Sequence, residues 1–474
     1  MKYKRIISFA IGLSILIPFF SCHSTQKGFK KPNIILINID DMGWKDVGFM
    51  GSEYYETPNI DLLAAQGMVF SQGYAAASNC APSRASITTG KWTTRHQIYT
   101  VSNSDRGNTK DRKLIPIRNT TVLDQRFTTL AQKLKAHGYV NCHSGKWHLS
   151  SDPLDYGFDV NIAGGEQGAP GSYYPPYGKG KVGLEGGKSE YLTDLIMEKT
   201  LLFLDEVNKP FFLHYTPYAV HTPIEPVDSL LYKYKNKPAY RGQKNPKYAT
   251  MVENLDRNIG LLVRKLKELN LFENSLIIFT SDNGGYYGKI TMQKPLRAGK
   301  GSYYEGGIRV PFFFLWKDKI KSGKNNENAI SHLDIFPTLI EVLGDKSGES
   351  EWDGHSLLPL LTQNQVLQER SLFWHFPIYL QGYDIEHNEN RDSLFRTRPG
   401  SVIRKGDWKL HYYFENSEVE LYNLKEDIGE LNDLSKTNSL KTAQLLGDLK
   451  SWWEETNAPI PSELNPDYAP HQRE

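Results

Sequence analysis

The sequence predicts an α/β fold, in which helices cover both faces of a sheet, followed by a smaller α+β subdomain. Two observations lead to this prediction. Strand-length apolar runs alternate with amphipathic helical patterns over the first three-quarters of the chain, and the runs lack the polar alternation of half-exposed strands. Toward the C-terminus, shorter strand patterns and one final helical pattern replace that alternation.

The strands of the main domain are predicted from four apolar, β-rich runs. These runs occupy residues 33–39, 210–215, 275–280 and 310–316. The helices predicted between them occupy residues 128–137, 191–207 and 248–269. In the C-terminal subdomain, short antiparallel strands are predicted at residues 404–410 and 419–424, and a closing amphipathic helix at 440–456.

The N-terminus is predicted to be an export signal. Residues 1–21 combine a basic start with an apolar run that is too short for a comfortable membrane span. Cys22 then precedes a polar stretch, which resembles a relaxed bacterial lipoprotein signal with Cys22 as its lipidated residue. Ordinary cleavage and a short anchor helix are the alternatives. We therefore expect an exported protein that is periplasmic or attached to the bacterial outer membrane.

Four segments follow from these patterns. They are a signal peptide at 1–21, a linker at 22–31, a main domain at 32–363 and a C-terminal subdomain at 364–474. The chain has 56 basic and 54 acidic residues, and this near balance argues against a nucleic-acid-binding surface. Its three cysteines are Cys22, Cys80 and Cys142. If the first two are modified, Cys142 has no partner, so no disulfide framework is expected.

The most informative stretch, residues 80–90, reads C-A-P-S-R-A-S-I-T-T-G. Pro82 suits the first turn of a helix, and Gly90 suits the position just after its end. Cys80 and Arg84 are four residues apart and would share one face of this helix. Arg84 would add a fixed cation to the free N–H groups at the helix start, which predicts an anion site. A lone cysteine, by contrast, is usually a small core residue.

Two pairs of side chains with carboxylate or amide oxygens follow predicted strands. Asp40 and Asp41 follow the first apolar run, and Asp282 and Asn283 follow the third. Ligands bind beyond the carboxyl ends of strands in open α/β sheets, so this edge is the expected site. If the pairs converge, their oxygens form a cage for a hard divalent cation. Either pair alone is more typical of a loop or a helix cap.

Three further segments supply cationic or titratable groups. Lys146 and His148 lie in Gly145-Lys146-Trp147-His148, His221 precedes Thr222-Pro223, and Lys300 lies in a glycine-containing loop. Each is ordinary when taken alone, because a lone histidine is usually structural and a loop lysine is usually solvated. Their order along the chain, together with residues 40–41, 80–84 and 282–283, is what makes them informative.

The ordered series resembles the type I, formylglycine-dependent sulfatases. The likeness rests on C-x-P-S-R at residues 80–84 with a glycine six residues on, on Asp41-Met42-Gly43-Trp44, and on Ser281-Asp282-Asn283-Gly284-Gly285. It extends from about residue 32 into the C-terminal subdomain and is strongest with bacterial arylsulfatase A-like carbohydrate sulfatases. The resemblance implies an alkaline-phosphatase-like mixed sheet flanked by helices, with a C-terminal antiparallel sheet and helix.

The resemblance also implies a calcium ion and a modified cysteine. The calcium ligands would be Asp40, Asp41, Asp282, Asn283 and residue 80 itself. Cys80 would be oxidised to formylglycine by a separate enzyme, either a formylglycine-generating enzyme or an anaerobic maturase. The sulfate would be surrounded by Arg84, Lys146, His148, His221 and Lys300.

The implied reaction is hydrolysis of a sulfate ester. The formylglycine hydrate attacks sulfur, and His148 then removes the proton of the second hydroxyl, which expels sulfate and restores the aldehyde. His221 and Lys300 are both candidates to protonate or neutralise the leaving alcohol, and the sequence leaves that choice open. A dication and fixed cations would stabilise the charge that develops on the bridging oxygen.

The implied partner is a sulfated glycan, with 4-O-sulfated galactose or N-acetylgalactosamine as the specific hypothesis. Candidate substrate-facing elements are His96, Arg297, His375 and the tyrosine-rich loop 171–177, although the tyrosines could equally brace a Pro-rich turn. Two other functions stay open at this point. One is a phosphonate or phosphodiester hydrolase on the same scaffold, and the other is a non-catalytic glycan-binding lipoprotein.

Overall fold

The structure is a computed structural model that describes residues 31–345, 351–382 and 389–469. The predicted signal peptide, Cys22 and residues 22–30 of the predicted linker lie outside the described residues. Within the described ranges, no helix has both the length and the apolar character that a membrane crossing requires. The proposed boundary at residue 364 stays a prediction.

A mixed sheet forms the centre of the main domain. The strands up to residue 331 are β1 Asn33–Ile39, β2 Met68–Phe70, β3 Gly73–Tyr74, β4 Val140–Gly145, β5 Val160–Ile162, β6 Phe211–Thr216, β7 Ser275–Ser281, β8 Phe313–Trp316, β9 Lys324–Asn326 and β10 Ile330–Ser331. Among the described residues the main sheet has eight strands in the order β5-β4-β6-β1-β7-β8-β2-β9, while β3 and β10 pair separately. The first five strands of that order, from β5 through β4, β6 and β1 to β7, run parallel to one another. Strand β8 is antiparallel to β7.

Helices cover both faces of this sheet, as predicted. They are α1 Pro58–Gln66, α2 Cys80–Thr89, α3 Thr93–His96, α4 Leu130–Ala136, α5 Leu192–Glu206, α6 Asp228–Lys235, α7 Pro246–Glu268, α8 Glu305–Ile308, α9 Ile335–Val342 and α10 Leu358–Gln363. Alternate side chains of β1 enter two different apolar clusters, because successive residues of a strand point to opposite faces. Ile35 and Ile37 pack with α5 and α7, and Ile34 and Leu36 pack with α4 and α9.

Most predicted elements of the main domain are confirmed, with two corrections. Strand β8 begins at Phe313 rather than at residue 310, because Pro311 has no N–H to donate to a neighbouring strand. Strand β4 was not predicted, since its polar residues Asn141, His143 and Ser144 hide its strand character. All three are nevertheless buried.

A second, antiparallel sheet follows the main domain. The elements of this region are β11 Ser371–Phe376, β12 Leu380–Gln381, β13 Phe395–Thr397, β14 Gly400–Lys405, β15 Trp408–Tyr413, β16 Glu418–Asn423 and α11 Ser439–Thr456. Strands β12 and β13 pair with each other, apart from the other four. The order β11-β14-β15-β16 is fully antiparallel, and α11 packs Leu445 and Leu449 against it. The predicted single strand at 404–410 is wrong. Gly406, at φ 56°, and Asp407 make the turn between β14 and β15.

A buried ionic cluster joins the second sheet to α8. The Lys409 ammonium on β15 lies 2.9 Å from a carboxylate oxygen of Glu305 on α8 and 2.9 Å from one of Glu430. None of the three side chains is exposed to solvent. Although burial by itself would raise the pKa of Glu305, Lys409 and Arg309 outweigh it and lower that pKa to about 2. The positive charge of Lys409 therefore offsets the repulsion between two carboxylates that are buried close together.

Replacing Lys409 by methionine should lower the free energy of unfolding by about 3–5 kcal/mol, because it leaves buried carboxylates without their main counter-charge. Denaturant unfolding measures this change. Lys405→Met is the matched control, since Lys405 pairs with Asp448 at a half-exposed surface site and its loss should cost less than about 1 kcal/mol. Equal losses in the two variants would contradict the argument.

Candidate active site

The two predicted pairs of side chains meet at the carboxyl edge of the main sheet. Strands β1 and β7 are neighbours, and Ile39 is paired with Ser281, so the residues that follow each strand lie side by side. The Asp41 N–H donates to the Asp282 carboxylate at 3.1 Å, and the Asp282 N–H donates to the Ile39 carbonyl at 2.9 Å. The predicted convergence is therefore confirmed.

These residues form a compact cluster of side chains whose atoms could ligate a metal ion. Carboxylate oxygens of Asp40, Asp41 and Asp282 and the Cys80 Sγ all lie within 4.8 Å of one another, and all four residues are buried. The Asn283 amide nitrogen donates to Asp41 at 2.8 Å. The Asn283 Oδ1 is buried and accepts no hydrogen bond from the described residues. An acceptor without a donor, among three carboxylates, is the arrangement expected where a cation binds.

Each carboxylate of the cluster also contacts at least one basic side chain. The Lys146 ammonium donates to both oxygens of Asp40 at 2.9 Å. The Arg84 Nε donates to Asp282 at 2.8 Å, and the Lys300 ammonium donates to Asp41 at 2.7 Å. Arg84 and Lys146 lie on the buried side of the carboxylates. The cluster therefore contains three acids and three bases.

The electrostatic environment differs among the three acids. Burial raises the pKa of Asp40 to about 7, and Lys146 opposes this shift. Burial also acts to raise the pKa of Asp41, but Lys300 and His221 outweigh it and hold that pKa below its usual range. Arg84 and Lys146 likewise keep the pKa of Asp282 low against its burial. Asp41 and Asp282 are thus the carboxylates most firmly held in the ionised form.

Cys80 occupies the first position of α2, as the sequence predicts. The helix spans Cys80–Thr89, and Gly90 ends it with a left-handed backbone at φ 66°. Arg84 lies one turn further along and reaches back to the carbonyl of Lys146 at 2.7 Å. The Cys80 Sγ lies 3.7 Å from Asp41. Burial raises the pKa of its thiol to about 12, so the unmodified side chain is not an activated thiolate.

Two histidines stand on the open side of the cluster. His221 has Nδ1 2.8 Å from the Thr222 carbonyl, which can only accept, so Nδ1 carries the proton and Nε2 faces Asp41 at 3.4 Å. Burial, reinforced by Lys300, lowers the pKa of His221 to about 3. His148 has a left-handed backbone at φ 63°, and burial lowers its pKa well below the usual range. Burial therefore favours the neutral form of both rings, and a neutral imidazole can accept a proton.

A pocket of about 580 Å³ opens above the cluster. Its lining residues are Asn79, Cys80, Val101, Arg106, His148, Gly168, Ala169, His221, Thr222, Tyr286, Tyr287, Lys289, Ile290 and Lys300. Four of the predicted catalytic residues therefore face the pocket, while Arg84 and Lys146 lie beneath it. The structure thus brings the predicted site residues into one place. Their individual chemical roles stay predictions.

Comparison with known families identifies the scaffold that carries this pocket. Residues 32–345, more than half of the chain, match the family model described as Sulfatase. The chain belongs to the type I sulfatase family. It is therefore a sulfuric ester hydrolase. Residues 299–457 of the sulfatase also match the C-terminal model of N-sulphoglucosamine sulphohydrolase.

The sulfatase has relatives over nearly its whole length. It is 32% identical to a protein named sulfatase from Formosa agariphila, in an alignment covering 97% of this chain and 95% of the relative. It is 30% identical to the N-acetylgalactosamine-6-sulfatase of Canis lupus familiaris, over 73% of this chain and 68% of the relative. The crystal structure of Ps i-CgsB in complex with k-i-k-neocarrahexaose superposes with a TM-score of 0.73 at 30% identity, covering 92% and 95% of the two chains.

Several expected substrate-facing residues of the sulfatase are structural instead. His96 is buried and its Nε2 lies 3.0 Å from the Ser86 hydroxyl, while His375 is held between Ser401 and the Pro459 carbonyl. Arg297 donates to the main-chain carbonyls of residues 389 and 430. In the loop 171–177, Tyr173 and Tyr177 are core residues, which agrees with the bracing alternative. A histidine or tyrosine in a sequence does not show whether its polar atoms already have internal partners.

Other pocket residues of the sulfatase were missed by the sequence analysis. Arg106, Tyr286, Tyr287 and Lys289 belong to no motif. The only signal for residues 286–290 was their position shortly after Asn283, at the carboxyl edge of the sheet. Residue 106 lies in a loop far from every motif, so only the folded chain reveals its place in the pocket.

Gly168 gives a test of how closely His148 must be placed. A Cβ at this position would lie 2.6 Å from the His148 Cε1 and 2.7 Å from its Nε2, so Gly168→Ala should displace the imidazole. We expect sulfate release to fall by about tenfold or more, since small displacements of a catalytic group are costly. Stability should change little. Gly187→Ala is the control because its Cβ would have only one neighbour, at 3.9 Å, and unchanged activity of Gly168→Ala would contradict this account.

Proposed function

We propose that this sulfatase acts on sulfated carbohydrates, with 4-O-sulfated galactose or N-acetylgalactosamine as the first candidate. The single observation that carries the proposal is the pocket. Cys80, His148, His221 and Lys300 share it with aromatic and aliphatic side chains that suit the apolar face of a sugar ring. The carbohydrate class, and not the 4-position, is supported by the names of the relatives, which include an N-acetylgalactosamine-6-sulfatase and a complex with a neocarrahexaose.

We further propose that Asp40, Asp41, Asp282 and Asn283 hold a calcium ion. The donor set fits this ion, because it consists of three carboxylates and the amide oxygen of Asn283, which lacks a donor. The Cys80 side chain lies within reach of the same centre. Bound calcium would supply a fixed positive charge that stabilises negative charge developing on a sulfate group.

Cys80 is the proposed site of conversion to formylglycine by a maturation enzyme. Its position fits this modification, because the side chain faces the pocket and contacts Asp41. Its thiol has a raised pKa and would be a poor nucleophile if left unmodified. The modified residue, as its hydrate, would supply the hydroxyl that attacks sulfur.

The surrounding residues position the substrate and move protons. Lys300 contacts Asp41 and the face of Tyr286, at 5.1 Å from the ring centroid, which holds its ammonium at the pocket wall. Neutral His148 can accept a proton from a hydroxyl at residue 80. His221 and Lys300 line the same pocket as residue 80, so both are candidates to assist the leaving alcohol. Arg84 and Lys146 hold the carboxylates from below.

Leaving-group comparison separates His221 from Lys300. Loss of the group that protonates the alcohol should harm release from a sugar sulfate far more than release from 4-nitrophenyl sulfate, because 4-nitrophenolate leaves without protonation. His221→Ala and Lys300→Ala are compared on both substrates. The variant with the selective loss identifies the acid, and equal losses on the two substrates in both variants would contradict acid assistance by either residue.

We also propose that the protein is an exported lipoprotein with Cys22 at its mature N-terminus, in the periplasm or on the outer membrane. This proposal is supported by the sequence pattern of residues 1–22 alone. Mass spectrometry of the N-terminal peptide from the native host tests it. A diacylated Cys22 would support the lipid anchor, and an unmodified N-terminus beyond residue 22 would contradict it.

The proposed function is tested by sulfate release from defined sugars. The panel contains galactose 4-sulfate, the 4-sulfate and 6-sulfate of N-acetylgalactosamine, and the 6-sulfate of N-acetylglucosamine, with calcium present and formylglycine at residue 80 confirmed by mass spectrometry. Preferential release from the 4-sulfates is the expected result. Preference for another position, or for glucosamine, would contradict the assignment. Phenyl phosphonate serves as a control that should react far more slowly.

A further inference from the structure

The wall of the pocket above residue 80 carries basic side chains and no acidic ones among the described residues. Its lining includes Arg106, Lys289 and Lys300, whereas no aspartate or glutamate lines it in the described part of the chain. Asp41 lies just beneath and contacts Lys300. The three basic residues around the acid cluster each have a carboxylate partner, so their charges are already balanced within the protein. Arg106 is not part of that balance.

The side chain of Arg106 is half-buried, and its guanidinium has no hydrogen bond or ion pair with the described residues. A guanidinium is a planar group with five N–H donors, and it forms its strongest contacts with bidentate anions such as sulfate or carboxylate. A partly desolvated guanidinium without an internal acid raises the positive potential of the pocket that it faces. A substrate anion can supply the missing partner.

The backbone around Arg106 is fixed on both sides. The Arg112 guanidinium donates to the carbonyls of Asp105 and Gly107 at 2.6 Å each. Asp105 also forms a parallel β-bridge with Tyr379. Gly107 lies so close to Phe395 that a Cβ there would be 2.8 Å from the ring. Arg106 is therefore presented from an anchored loop, which distinguishes it from a freely moving surface arginine.

Because of these contacts, we infer that Arg106 binds a second anionic group of the substrate, so that the preferred substrate is a multiply sulfated or sulfated and carboxylated glycan. This inference rests on the proposed function of the same pocket. One sulfate lies at residue 80 and reacts, while a second anion pairs with Arg106 and stays on the product. The side chains of Val101, Tyr286 and Ile290 lie in the same wall and would contact the sugar.

The test measures binding rather than turnover, in protein carrying Cys80→Ala with calcium present. The probes are N-acetylgalactosamine 4-sulfate, its 4,6-disulfate, and a galactose disaccharide with one sulfate on each ring. At least one disulfated probe should bind about tenfold or more tightly than the monosulfated sugar, and Arg106→Gln should abolish that advantage. Its effect on the monosulfated sugar should be less than about twofold.

Two further variants make the result specific. Arg126→Gln removes the same charge from an exposed position paired with Asp124, and it should leave the affinity for every probe unchanged. Arg106→Lys should restore part of the advantage, because it keeps the charge but loses the bidentate geometry. The inference is overturned if neither disulfated probe binds more tightly than the monosulfated sugar, or if Arg106→Gln weakens all probes equally.

The same measurements separate this inference from the proposed function. Arg106-dependent binding of a disulfated sugar, combined with no sulfate release by fully modified protein, would contradict the proposed function and support the inference. Release from monosulfated sugars without any Arg106-dependent preference would support the proposed function and overturn the inference.

Discussion

Replacing Cys80 by alanine will reduce sulfate release by at least about a thousandfold, because it removes the side chain from which the proposed nucleophile is made. The fold should persist. Cys80 sits at the first position of α2, and its Sγ has only a long contact of 3.7 Å with Asp41. Binding of a sulfated sugar should also persist, since Lys300, His148 and His221 keep their places. Sulfate release, thermal unfolding and sugar binding together check these expectations.

Cys142→Ala is the matched control for this prediction. Cys142 is the other described cysteine, it is also buried, and it lies on β4 within the apolar core. Its loss removes a thiol of the same size from the interior without touching the pocket, so activity per folded molecule should be unchanged. Substantial residual release by Cys80→Ala, or an equal loss in Cys142→Ala, would show that the thiol position is not the origin of the nucleophile.

Removing divalent metal ions with a chelator will lower activity to below about 1% and lower the melting temperature. The activity falls because three carboxylates then face the reaction centre without the added positive charge. The stability falls because a ligand that binds only the folded state stabilises it, by about 2.7 kcal/mol at a concentration one hundred times its Kd. Calcium should restore both properties. Magnesium should restore less, because it requires a tighter octahedral set of ligands.

Asp282→Asn and Asp256→Asn make this metal prediction specific. Asp282 belongs to the cluster and pairs with Arg84, so its variant should lose the calcium response of the melting temperature. Asp256 is also buried, but it accepts hydrogen bonds from Asn59 and the Ile60 N–H at the start of α1. Its variant should be less stable yet keep the calcium response. An unchanged melting temperature and unchanged activity after chelation would contradict the proposed calcium site.

The sequence predicted the site better than it predicted the pocket around it. Asp40, Cys80 and Asp282 could be placed because each directly follows or begins an element whose apolar pattern is clear. Strand β4 was missed because buried polar residues broke that pattern, although it delivers Lys146 to Asp40. Its neighbours in the sheet, and not its own composition, make it a strand.

Long-range contacts account for the other differences. His96 and His375 were expected near the substrate, but each finds a hydrogen-bond partner in the interior that no local pattern reveals. Arg106 was not expected at all, since its loop reaches the pocket through contacts with residues 379 and 395. Such partners are remote in sequence, so only the three-dimensional packing assigns these residues to the core or to the site.

The burial of α2 bears on whether modification of Cys80 comes before or after folding. All ten of its residues, from Cys80 to Thr89, are buried in the folded chain. If residue 80 is converted to formylglycine as proposed, the maturation enzyme needs access to this segment, and the packed helix restricts that access. We therefore expect the proposed conversion of Cys80 to precede folding, and the proposed export of the chain in an extended form would provide that interval. A molecule that folds too early would be stable, correctly assembled and permanently inactive.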